Sequence, residues 1–119
     1  MLPGPHRLKR PSDFGQAVRR GARAATPTVV VHVMRRNDQD PPEFTRVGFV
    51  VSKKVGNAVE RNRVKRRLRH LSGQFDLSAR RDVVVRALPD ASSQPDRLAD
   101  DLASAWRRAP ARGAAGSTC

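Results

Sequence analysis

Apolar residues in this chain fall into short groups whose spacing alternates between helical and extended. Phe14, Ala17 and Val18 recur at i, i+3 and i+4, which places them on one face of a short helix. Ser12 or Asp13 offers a side-chain oxygen to the free N–H groups at its start, and Gly21 is its expected stop. Residues 28–36 (TVVVHVMRR) are dominated by β-branched side chains and read as a strand. Residues 37–43 (NDQDPPE) form a polar loop with two prolines, and residues 46–52 (RVGFVVS) read as a second strand. The two runs suggest an antiparallel hairpin.

The pattern then becomes helical. Gly56 and Asn57 mark a turn, with Asn57 a candidate cap. Val64, Leu68 and Leu71 follow at i, i+4 and i+7, an apolar stripe on a helix that Gly73 ends. Asn62, Arg66 and Arg69 project opposite that stripe, Arg63 and Lys65 flank it, and Arg61 lies closer to its edge. Residues 82–88 (DVVVRAL) have strand composition and stop at Pro89. A last helix over residues 95–108 buries Leu98, Leu102, Ala105 and Trp106. The order α, β, β, α, β, α leaves room for one further short strand around Lys53. This is an α/β (α+β) two-layer sandwich in one domain, residues 11–108, between a flexible basic arm (1–10) and a disordered small-residue tail (109–119).

Charge changes the picture from fold to partner. The 119 residues hold 24 Lys and Arg against 11 Asp and Glu, a net of +13, which draws polyanions, nucleic acid first. Residues 7–23 carry six basic residues and one acid (+5), and residues 53–69 carry eight and one (+7). Like charges at i, i+4, such as Arg61/Lys65 and Lys65/Arg69, each cost a helix ~0.2–0.5 kcal/mol. A helix selected for stability alone would alternate signs, so this one reads as a phosphate-binding face. The single cysteine, Cys119, excludes an intramolecular disulfide and a thiolate metal site, which suits a reducing compartment. The N-terminal stretch lacks the apolar core of a signal peptide, and the longest apolar run, Thr28 to Met34, is too short to span a bilayer. A soluble cytoplasmic protein is expected.

Residues 55–69 (VGNAVERNRVKRRLR) resemble the RNR signature of the bacterial ribonuclease P protein subunit. Residues 46–54 (RVGFVVSKK) are similar to that family's lead-in strand, and residues 8–14 (LKRPSDF) to its start, so the resemblance spans about Arg7 to Arg108. It implies the order α-β-β-β-α-β-α and a mixed four-stranded sheet whose long helix joins two parallel strands by a left-handed crossover, against the usual hand. It implies a catalytic RNA partner bound through Lys53, Lys54, Arg61, Asn62, Arg63, Lys65, Arg66 and Arg69. It also implies a cleft between the first helix and the sheet for the single-stranded 5′ leader of precursor tRNA, at positions matching Lys9, Arg10, Phe14, Val18 and His32. Val18 and His32 stand where the family commonly has an aromatic and a tyrosine, so leader stacking is expected to be weaker or shifted. Core packing explains Phe14 equally well, and His32 also reads as a partly buried strand histidine.

Protein-based hydrolysis would need metal-binding carboxylates or an acid–base pair. Asp38, Asp40 and Glu43 share one proline-containing loop, His6, His32 and His70 are scattered, and no Ser-His-Asp or Cys-His arrangement is evident. The residues therefore describe a binder without catalytic side chains, and the resemblance assigns the chemistry to the RNA and its Mg²⁺, with no cofactor on the protein. Three readings compete: a general structural RNA binder, a stand-alone metal-dependent nuclease, and a membrane-surface protein. The last lacks large apolar side chains beside its charges, and no small-molecule substrate is indicated.

Overall fold

In a computed structural model the valine-rich runs form the centre of one sheet. The structure describes residues 11–35, 44–79 and 81–117; side chains are described for 14–19, 21–35, 44–79 and 81–109. Helix α1 (Pro11–Arg20) leads into strand β1 (Ala22–Ala25), followed by β2 (Val29–Arg35) and β3 (Arg46–Val50). Helix α2 (Ala58–Ser72), strand β4 (Arg81–Ala87), the short helix α3 (Asp90–Ser93), a 3₁₀ turn (Pro95–Arg97) and helix α4 (Leu98–Ser117) complete the chain. The four-stranded sheet has the order β1-β2-β4-β3. β2 is antiparallel to both β1 and β4, and β3 runs parallel to β4.

Strand alternation divides the side chains between two faces. Val29, Val31, Val33, Val47, Val83 and Val85 point to one side, where they pack with Val64 and Leu68 of α2 and with Leu98, Leu102, Ala105 and Trp106 of α4. Full burial of a Val or Leu side chain contributes ~1.5–3 kcal/mol, so this layer dominates stability. Small residues set the spacing: Ala24, Ala105 and Ala109 are fully buried, and the Arg108 Nη2 donates to the Ala25 carbonyl at 3.0 Å. Phe75, in the loop after α2, stacks on Trp106 at a centroid distance of 4.6 Å. On the other face α1 lays Ala17 against Val84, with Phe14 and Met34 beside them.

Four expectations change. β2 and β3 are not a hairpin, because β4 inserts between them and pairs with both; a hairpin is the local option, but β4 (RDVVVRA) can be buried on both faces and takes the central position. The extra strand is Ala22–Ala25, directly after α1, whereas Lys53–Val55 form a turn closed by the Val55 N–H to the Ser52 carbonyl at 3.1 Å. Three alanines and one arginine carry little strand propensity, and pairing with β2 supplies what composition lacks. α1 begins at Pro11, so Ser12 and Asp13 lie within its first turn and not ahead of it. α4 continues past Arg108, with Ala109 buried, and runs to Ser117 through residues that composition reads as a disordered tail.

Candidate nucleic-acid interface

The turn before α2 aims the basic segment. Gly56 has φ +157°, and a Cβ there would strike the Glu60 carboxylate. Asn57 caps the helix, its Oδ1 accepting from the Glu60 N–H at 2.9 Å. Glu60, the helix's only acid, accepts from the Ser92 hydroxyl at 2.8 Å and so turns toward α3. Val64 and Leu68 are buried and Leu71 is partly covered, as the apolar stripe requires.

That anchoring leaves the cations outward. Lys53, Lys54, Asn62, Arg63 and Arg66 are exposed, and Arg61, Lys65 and Arg69 are half-buried. The Nε atoms of Arg61 and Arg69 are buried without a hydrogen-bond partner, so these side chains lie along the helix and present their terminal nitrogens. Among the described residues the one salt bridge is Arg46–Asp82, on the sheet, and none of them forms an ion pair with a cation of α2. A shallow groove follows Val59, Asn62, Arg63, Arg66, Arg67 and His70. A smaller hollow between α2 and the end of β3 is lined by Val51, Ala58, Arg61, Asn62 and Lys65, and Asn62 reaches both. Arg67, His70 and Val59 were not expected on this face; the i, i+4 relation of Arg67 to Arg63 was the available signal.

The second set of positions gathers on the α1 face of the sheet. Phe14 is half-buried with its ring tip over Gly48, where a Cβ would overlap it. Val18 is 37% exposed and Val50 38% exposed. His32 is only 1% exposed, with both ring nitrogens unpartnered. Burial, then Arg86 and Arg23, hold its pKa below the ordinary value of 6.5. A base cannot stack on a ring so covered; His32 is a neutral part of the floor, and the exposed apolar surface is that of Val18, Val50 and the Phe14 edge. Arg23, paired in register with His32, and Arg86 bring charge to this face, and neither was anticipated. The lone arginine interrupting DVVVRAL was the signal for Arg86. Lys9 and Arg10 lie outside the described residues, as do Asp38, Asp40 and Glu43. Among the described residues no three His, Cys, Asp or Glu side chains gather to hold a metal ion, and no helix is long and apolar enough to cross a membrane.

Fold and surface together define a small, strongly basic α+β protein with a long basic helix on one side and a partly apolar cleft on the other. The family model described as Ribonuclease P matches residues 2–110, so the chain belongs to the ribonuclease P protein family and is a subunit of a tRNA-processing endoribonuclease ribonucleoprotein. It is 48% identical over 111 residues to the ribonuclease P protein component of Mycolicibacterium vanbaalenii, covering 91% of this chain and 92% of the relative. To the Streptomyces avermitilis component it is 50% identical over 117 residues, covering 91% and 94%. Among solved structures, the Staphylococcus aureus RNase P protein superposes with a TM-score of 0.75 at 28% identity, covering 87% of this chain and 94% of that one.

Proposed function

We propose that α2 and its entrance bind the catalytic RNA of ribonuclease P, and that the cleft beside α1 receives the 5′ leader of precursor tRNA. The carrying observation is the α2 surface, where the cations have no ion-pair partner among the described residues and the one acid is engaged elsewhere. Such a face is costly alone and is offset when phosphates replace the missing carboxylates and counterions leave. Asn62, exposed and set where the two hollows meet, can donate to and accept from a 2′-OH or a base edge. In the cleft, Phe14, Val18 and Val50 offer apolar contact, while Arg23 and Arg86 favour the phosphates of a single strand of any sequence.

Bond cleavage in this reading belongs to the RNA, which also binds Mg²⁺. The protein binds, orients the leader and screens repulsion between two RNAs, and positioning of that kind lowers a barrier by several kcal/mol. It does so in the cytoplasm.

The test is a salt titration of binding to the catalytic RNA. Arg66→Ala is expected to weaken binding and to make the log–log salt slope less steep by about 1. An unchanged slope would remove α2 from the interface. Phe14→Ala should weaken holoenzyme binding of a leader-bearing substrate by ~1–3 kcal/mol and leave a leaderless tRNA unaffected. Binding of unrelated RNAs with equal affinity, without stimulated cleavage, would instead favour a general RNA binder.

A further inference from the structure

At one end of the sheet the two central strands outrun their neighbours. β1 begins opposite Val33 and β3 begins opposite Asp82, so neither flanks the last cross-strand pair of β2 and β4. That pair is Arg35↔Arg81, two guanidinium-bearing residues in direct register. Directly opposed like charges destabilise an antiparallel pair, so fold stability does not account for them. The nearest carboxylate along the strand, Asp82, points to the other face, where Arg46 holds it with Nε at 2.9 Å and Nη2 at 2.8 Å. Arg81 is half-buried, with its Nε enclosed and without a hydrogen-bond partner. Among the described residues Asp76 is the acid that acts on it, and it is exposed and already accepts from the Ser78 N–H at 3.0 Å. Burial and Arg35 both work against the Arg81 charge, which an arginine nevertheless keeps.

We infer that Arg35 and Arg81 form a separate phosphate-binding site, a two-arginine clamp on the RNA backbone apart from α2 and from the α1 cleft. A phosphate between the two guanidinium groups would convert their repulsion into paired, charge-assisted hydrogen bonds, which planar arginine donors make well. The site has no means of reading sequence, so it serves affinity and orientation. The inference rests on the RNA-binding reading above and adds a contact at the opposite end of β4 from α3. The phosphate has two candidate sources, the catalytic RNA and the precursor tRNA.

Arg35→Glu separates a ligand site from a structural one. It replaces repulsion by a cross-strand ion pair, so Tm is expected to rise by about 2–5 °C. RNA affinity is expected to fall roughly five- to tenfold, with the salt slope less steep by about 1–2. Two arms assign the source: binding of the variant to the catalytic RNA alone, and binding of precursor tRNA to the reconstituted holoenzyme. Arg35→Lys keeps the charge but not the planar donors, so it should lose clearly less affinity than Arg35→Glu in the affected arm. Unchanged affinity and slope in both arms for Arg35→Glu overturns the site, as does an equal loss for Arg35→Lys, which would tie the effect to shape instead of charge. If Arg66→Ala still weakens binding in either of those cases, the α2 interface stands without this site; if the unaltered protein binds neither RNA, both readings fall.

Discussion

His32 and Asp82 show how differently two buried polar residues on one face can be accommodated. Asp82 is 1% exposed and shares a bidentate pair with Arg46, itself 22% exposed. Arg46→Met removes that bidentate partner from a buried carboxylate and is expected to cost ~1–3 kcal/mol in denaturant unfolding, below the cost of breaking a fully buried pair. His32 has no partner and stays neutral, its pKa lowered by burial, Arg86 and Arg23. The unfolded chain therefore takes up a proton near pH 6.5 that the folded chain resists, so stability is lost as pH falls through that value. Tm should drop between about pH 7.5 and about pH 5.5, and His32→Leu should reduce that drop. An unchanged pH dependence in the variant would mean that the imidazole protonates in the folded protein.

The elements show what local pattern carries and where it stops. The stripe Val64, Leu68, Leu71, the cap Asn57, and the buried face of α4 were all legible, because helical periodicity and capping are properties of neighbouring residues. Asn57→Ala should cost about 1 kcal/mol and fray the entrance of α2, measurable by thermal unfolding. Sheet order was not legible from periodicity, since the two-sided burial of β4 and the weak strand Ala22–Ala25 are settled by tertiary pairing. The same limit applied to the cleft: Phe14 and Gly48 are far apart in sequence, and nothing local marks their close approach. Gly48→Ala should destabilise by ~1–3 kcal/mol through displacement of the Phe14 ring, and in combination with Phe14→Ala the two effects should be less than additive.

At the scale of the whole molecule, function follows from how the two sheet faces are used. One face is given to the core under α2 and α4, which lets α2 keep only a narrow apolar stripe and turn its cations outward. The other is only partly covered by α1, leaving Val18 and Val50 in contact with solvent beside Arg23 and Arg86. The basic helix was readable from charge and motif alone. The cleft's charge was not, because Arg23 and Arg86 join it only through strand register with residues distant in the chain. The central claim is that this protein assists an RNA catalyst by binding. Its most direct test is cleavage of a precursor tRNA at low Mg²⁺ by the protein alone, by the cognate catalytic RNA alone, and by both. Efficient cleavage is expected only from the mixture, reduced in a salt-sensitive way by Arg61→Ala with Arg66→Ala; cleavage by the protein alone, or a mixture no faster than the RNA alone, would show that the protein does not work by assisting an RNA catalyst.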